Sequence, residues 1–202
     1  MNDGIERRFL ASGGVSVTKP TRRAGDSIAT VEGMAVVWGS LSHDMGGWRE
    51  RIASGAFTDA LRSAKMPILG CYDHKVGDLL ASTAVGTLRL AEDGTGLRFA
   101  IDLPNTTLGR DVLTLVERGD LAGVSIGFRP DRKAVVWSKG SSGGPVCTIR
   151  RVADLIEVSL VALPAYPQTT AVVASPSSPE TAAQRRCREA VEKMRRAVAM
   201  AG

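Results

Sequence analysis

Residues 124–129 alternate without interruption: Val124, Ile126 and Phe128 fall on one side of an extended chain, and Gly123, Ser125 and Gly127 on the other. A period of two admits a strand and excludes a helix, whose apolar residues would recur every three or four positions. One face of this strand is therefore expected to enter a core. The other carries only a hydroxyl between two glycines, so nothing shields Ser125 and another backbone can approach it closely. Taken alone, such a face is also the mark of a tight packing site or a bulge.

The surrounding sequence predicts a small α+β domain that is mostly β. Strand-like runs occupy 28–38, 66–72, 84–90, 97–103 and 154–163, with 134–137 and 146–150 joined as a hairpin through a Gly- and Ser-rich loop. Asp93-Gly94 between two of these runs is a hairpin signal, since glycine accepts positive φ without steric cost. Residues 57–64 have the spacing of a short helix. In 107–117, Leu108, Val112, Leu115 and Val116 share one helical face, Thr106 or Thr107 caps the start and Gly119 closes the end. A helix on a mostly antiparallel sheet is the implied local picture.

Composition divides the chain into three. With 202 residues, 44% of them hydrophobic, it can bury one good core. Residues 1–26 show no sustained period and are expected to form a flexible arm, 27–174 the folded domain, and 175–202 a Pro/Ser linker followed by a basic amphipathic helix. The tail holds six Lys/Arg and three Glu, so +3 of the net +5 lies there and only +2 in the rest. With 4% aromatic residues as well, the domain lacks the basic, ring-bearing surface of a nucleic-acid binder. The charged opening residues and the absence of a long apolar run predict a protein made without a secretory signal or a membrane span. Cys71, Cys147 and Cys187 are too few and too scattered for a disulfide framework, which suggests a reducing cytoplasm.

The candidate chemistry is a serine, a histidine and a carboxylate. A serine hydroxyl is a weak nucleophile until an imidazole takes its proton, and the imidazole works best when a third group fixes its tautomer. Ser125, His74 and Glu157 supply these types in the order base, nucleophile, acid. Glu157 sits among apolar neighbours on the 154–163 strand. That fits either a solvated outer face or a half-buried carboxylate kept ionised by a histidine. The letters around Ser125 read Gly-x-Ser-x-Gly, but a hydrolase elbow needs strand, turn and helix with the histidine last, and here both His43 and His74 come first. Cys71-Tyr72-Asp73-His74 offers metal-ligand types without a second Cys/His pair, so no metal and no cofactor are expected. Arg150 or Arg151 could supply charge to an oxyanion, as could backbone N–H groups near Ser125.

Several blocks in fixed order extend these observations. They are Trp48-Arg49-Glu50-Arg51-Ile52 with Gly55-Ala56-Phe57, then His74, then Gly86-Thr87-Leu88-Arg89-Leu90 with Glu92-Asp93-Gly94-Thr95-Gly96-Leu97. After them come Gly123-Val124-Ser125-Ile126-Gly127-Phe128 and Leu155-Ile156-Glu157-Val158-Ser159-Leu160-Val161, followed by Pro164-Ala165-Tyr166-Pro167. Over residues 31–173 this pattern resembles the prohead proteases of tailed bacteriophages.

The resemblance implies a serine endopeptidase related in fold to the herpesvirus assemblins, with an antiparallel β-barrel-like core surrounded by helices. It implies Ser125 as nucleophile, His74 as general base and Glu157 as third member, where the herpesvirus enzymes use a second histidine. Lys75 departs from relatives that carry an acid after the histidine. The expected partners are the major capsid protein and its scaffolding segment, with self-cleavage and self-association, and the expected location is the immature capsid in the host cytoplasm. No membrane and no specific nucleic acid are expected as partners. A non-catalytic capsid assembly protein of the same fold, or a small serine esterase, are the rival readings.

Overall fold

The computed structural model describes residues 6–10, 16–18, 27–141 and 143–162, the first two segments as backbone alone. In chain order the strands are β1 (Glu6–Leu10), β2 (Ser16–Thr18), β3 (Ser27–Val37), β4 (Arg49–Ile52), β5 (Leu69–Tyr72), β6 (Lys75–Ser82), β7 (Leu88–Glu92), β8 (Gly96–Pro104), β9 (Gly123–Pro130), β10 (Val135–Lys139), β11 (Pro145–Ile149) and β12 (Val152–Val161). Two α-helices accompany them, α1 (Thr58–Arg62) before β5 and α2 (Thr107–Arg118) before β9. The Pro/Ser linker and the tail helix expected over 175–202 lie outside the described residues.

The strands form three sheets, in the orders β1-β9-β12-β5-β6, β2-β3-β8-β7 and β10-β11-β4. The fold is thus mostly β, but the barrel-like core that the resemblance implied is not a closed barrel: each sheet has two ends among the described residues. Nor is it purely antiparallel, because β12 pairs with β5, and β11 with β4, in parallel. Both parallel pairs join strands distant in sequence, which a short turn cannot connect. Instead of a surround of helices, the described residues contain α1, of five residues, and α2, of twelve. Within the stretch read as an arm, β1 pairs with β9 and β2 with β3.

Individual elements follow their sequence signals where those signals are local. Thr106 Oγ1 accepts from the Gly109 N–H at 3.1 Å at the start of α2, and Gly119 ends the helix with φ +82. The Asp93 carboxylate accepts from the N–H groups of Thr95 and Gly96 and so builds the β7–β8 hairpin. The run 84–90 is divided: Thr83–Val85 makes a single 3₁₀ turn, capped by Ser82 and closed at Gly86, before β7 begins. The loop expected over 138–145 is shorter than its composition implied, since Ser138 and Lys139 pair with Val146 and Pro145 across the β10–β11 hairpin.

The core lies between the first two sheets. Val124, Ile126 and Phe128 of β9 and Val158 and Leu160 of β12 join Val31, Phe99, Ile101 and Leu103 in one buried cluster, and Phe57 meets Phe128 edge to face at 6.4 Å. Burying such side chains is worth about 1.5–3 kcal/mol each, and it fixes which face of β9 points inward. In the second sheet, Arg89 of β7 holds Asp102 of β8 bidentately at 2.6 and 2.7 Å, and Thr30 of β3 donates to the same carboxylate at 2.7 Å. This pairing ties three strands through one buried charge pair, and its burial is tolerable because both carboxylate oxygens have donors.

Gly109 is packed against the chain that precedes its helix: a Cβ there would lie 2.0 Å from the Pro104 carbonyl oxygen. Gly109→Ala, which helix propensity alone would favour by nearly 1 kcal/mol, is therefore expected to destabilise the domain by about 1–3 kcal/mol. Chemical denaturation monitored by circular dichroism reads the sign directly.

Candidate active site

The strand that carries Ser125 is central rather than marginal. Along β9, Phe9 of β1 is opposite Ser125 on one side and Ser159 of β12 on the other. Residues directly opposite in an antiparallel pair share a face, so Ser125 and Ser159 point the same way, as do Gly127 and Glu157. Ser125 lies inside a strand that follows a helix and leads only to a single 3₁₀ turn at Arg132–Ala134, unlike the strand–turn–helix of a hydrolase elbow.

A bulge sets the direction of Glu157. Between Leu155 and Glu157, β12 advances two residues while β9 advances one, from Phe128 to Gly127. Simple alternation would put Leu155 and Glu157 on one face. The register instead places Leu155 with Phe128 on the core face and Glu157 with Gly127 on the Ser125 face. The extra residue, Ile156, re-aims everything after it, as bulges do.

His74 is delivered by a tight turn from the other neighbour of β12. β5 runs parallel to β12, with Tyr72 opposite Leu160, and the Asp73 N–H donates to the Leu160 carbonyl at 3.0 Å. Tyr72 and Lys75 close a two-residue hairpin into β6, whose central residues Asp73 and His74 have φ of +51 and +59. Two successive positive φ values are the signature of a type I′ turn, usually made with Asn-Gly. Asp and His tolerate this region better than most side chains, though at a conformational cost that the surroundings must offset. Lys75 and Asp73 flank the histidine and pair with each other at 3.2 Å in an exposed position.

The turn brings His74 Nδ1 to 2.6 Å from Glu157 Oε1. Both side chains are largely buried, at 10% and 4% exposure. An ionised carboxylate only accepts, so Nδ1 carries the proton and donates, which leaves Nε2 with a lone pair in the neutral ring. The Ser159 hydroxyl donates to the other oxygen of Glu157, Oε2. Gly127 makes room for the group: a Cβ there would stand 2.5 Å from Oε1. Ser125 and Ser159 are fully buried.

Other polar residues divide clearly. Cys71 of β5 is opposite Ser159, and burial, with the nearby charges of Glu157 and Asp78, raises its thiol to about 11. It is therefore a neutral thiol beside the carboxylate and not a second nucleophile. Arg150 and Arg151 precede β12, eight or nine residues from Ser159, roughly 25 Å along a strand. Arg151 is also paired with Asp131 at 2.7 Å, so neither arginine stands beside Ser125. His43 is exposed in the loop before β4, in another sheet. Sequence reasoning missed Ser159, whose only signal was its place two residues after Glu157 on a strand.

Comparison with known proteins gives two findings. A family model described as Caudovirus prohead serine protease matches residues 16–185. The fold is similar to that of the bacteriophage T4 capsid assembly protease, gp21, with a TM-score of 0.53 and 10% identity, covering 79% of this chain and 98% of that one. No curated protein matches the chain.

Two outcomes follow from the packing around Glu157. Gly127→Ala should displace the carboxylate from His74 and slow any reaction of Ser125 by about 100-fold, the scale of a 1 Å misplacement, in a protein that still folds; the rate of Ser125 acylation in the variant measures this. Cys71 should resist iodoacetamide at pH 8 in the native protein and react after denaturation, as peptide mass spectrometry would record. Equal modification in both states would contradict its burial.

Proposed function

The chain belongs to the caudovirus prohead serine protease family, and from that premise we propose that Ser125 is its nucleophile, His74 its general base and Glu157 the group that orients the base. The observation that carries this assignment is the 2.6 Å contact between His74 Nδ1 and Glu157 Oε1, made on the face of the sheet that also bears Ser125. The chain is a serine protease of capsid maturation, and the prohead is where such an enzyme works.

Ser125 Oγ attacks the carbonyl carbon of the scissile peptide as His74 Nε2 takes the hydroxyl proton. The imidazolium formed lies against the Glu157 carboxylate, which stabilises its charge without taking the proton from Nδ1. His74 then gives its Nε2 proton to the leaving amine, and a water attacks the acyl-enzyme by the same route in reverse. Because Ser125 is fully buried, the groups covering it must part before a peptide enters. The strand β1 is paired along the outer edge of β9, with Phe9 opposite Ser125.

The reading extends to partners and organisation. Capsid assembly proteins are the class of partner; within it, the scaffolding segment of the major capsid protein is the proposed substrate, and self-association is part of the proposal. Synthesis in the host cytoplasm precedes inclusion in the immature capsid. No helix among the described residues is long and apolar enough to cross a membrane. The domain is proposed to span residues 27–174, with β1 and β2 of the segment 1–26 paired onto its sheets, and with the segments 1–26 and 175–202 serving incorporation or timing and supplying self-cleavage sites. A relation of fold to the herpesvirus assemblins belongs to the same proposal, supported by the mostly β architecture and by the order of the sequence blocks.

Co-expression with the capsid protein tests the assignment. Ser125→Ala should lower processing by at least about 10⁴-fold, the scale of losing a triad serine. N-terminal sequencing of the products and intact mass of the protease report substrate cleavage and self-trimming separately. Processing by the alanine variant would show the nucleophile to be another residue, and an intact wild-type chain after complete substrate cleavage would remove the self-trimming proposal.

A further inference from the structure

Glu157 is held at two points, and only one of them is the histidine. Its Oε1 accepts from His74 Nδ1 and its Oε2 accepts from the Ser159 hydroxyl. Ser159 lies two residues along β12 on the same face, is fully buried, and stands opposite both Ser125 of β9 and Cys71 of β5. It is thus the residue of β12 between the nucleophile's strand and the strand that delivers the base.

We propose that Ser159 is a positioning residue for the hydrolysis, locking the Glu157 carboxylate in the rotation that presents Oε1 to His74. The proposal rests on the reading of Glu157 as the third member of the triad. The terminal torsion of a glutamate is broad and roughly twofold, so packing around the stem does not fix the plane of its oxygens. A single hydrogen bond from His74 would leave that plane free to swing about the contact. A donor on the second oxygen removes the freedom. It also satisfies a buried lone pair that would otherwise be desolvated at a cost of about 1–3 kcal/mol. Ser159 has one proton to give, and it is committed to Oε2. Cys71, the other polar neighbour on this face, is a poor substitute because a thiol is only a weak donor. The orientation of the base therefore depends on Ser159 through Glu157, although Ser159 touches no reacting atom in the mechanism.

A purely structural role would make Ser159→Ala harmful whatever stands at 157, whereas positioning requires that its effect pass through Glu157. The test uses the full chain and an alkyl fluorophosphonate, which phosphonylates an activated serine: the P–F bond breaks, a P–O bond forms at Ser125 Oγ, the hydroxyl proton passes to His74 and fluoride leaves. Saturation kinetics separate the maximal rate kinact from the half-saturation constant KI. Ser159→Ala should lower kinact by about 10- to 100-fold, within the range of a misoriented catalytic group, with KI changed less than about twofold. In a Glu157→Ala background the same change should cost less than about twofold, the non-additivity expected of residues that act as a unit. Ser159→Cys, which keeps a weaker donor at the same place, should fall between the parent and Ser159→Ala, and it serves as the second probe if the alanine variant folds poorly.

Equal losses from Ser159→Ala in both backgrounds, or no loss in the first, would overturn the role of Ser159 alone. Unchanged kinact in Glu157→Ala would instead overturn the triad reading on which it rests.

Discussion

A buried carboxylate, on a side chain only 4% exposed, is the constraint around which this site is built. An ion taken out of water is penalised by several kcal/mol unless charge and hydrogen bonds are returned to it, and leaving such a group unpaired costs about 3–5 kcal/mol. Glu157 has apolar residues on either side of it in the chain, so its compensation comes from two places: the His74 ring from the β5–β6 turn across the sheet, and the hydroxyl of Ser159 two residues along β12. The donors that make the buried charge tolerable also orient the imidazole, so stability and catalytic geometry depend on the same contacts.

Three backbone features serve that carboxylate. The bulge at Ile156 turns Glu157 off the core face, the missing side chain at Gly127 leaves space for its oxygens, and the left-handed pair Asp73 and His74 brings the ring across the end of β5. None of these would be chosen by a regular sheet, and two of them are departures from ideal geometry. Such departures persist only where surrounding packing over-determines them. Here the packing is the apolar cluster behind β9 and β12, where Val124, Ile126, Phe128, Val158 and Leu160 fix the two strands from the opposite face.

What the sequence revealed was what is local. Strict alternation identified β9, the Thr106 and Gly119 caps bounded α2, and Asp93-Gly94 marked the β7–β8 hairpin. What escaped was what depends on a partner strand. Simple alternation along β12 would put Leu155 on the face of Glu157, because a bulge exists only relative to the register of β9. Residues 75–82 were not read as a strand because Asp73-His74 lacks the glycine by which a two-residue turn is usually recognised. The barrel expectation failed for a related reason: closure depends on which distant strands pair, and no period within one segment encodes that. Ser125, His74 and Glu157 were legible as residue types in a plausible order, and Ser159 was not, since a serine in a strand has no signature until its neighbour is known.

Catalysis here requires His74 to bridge Glu157 and the nucleophile, and a crystal structure of the full chain after reaction with a phosphonate examines that bridge directly. It should show phosphorus bonded to Ser125 Oγ, with His74 Nε2 within hydrogen-bond reach of that oxygen while Nδ1 still donates to Glu157. Phosphorus on another residue, or a His74 ring turned away from Ser125 with Glu157 held elsewhere, would contradict it.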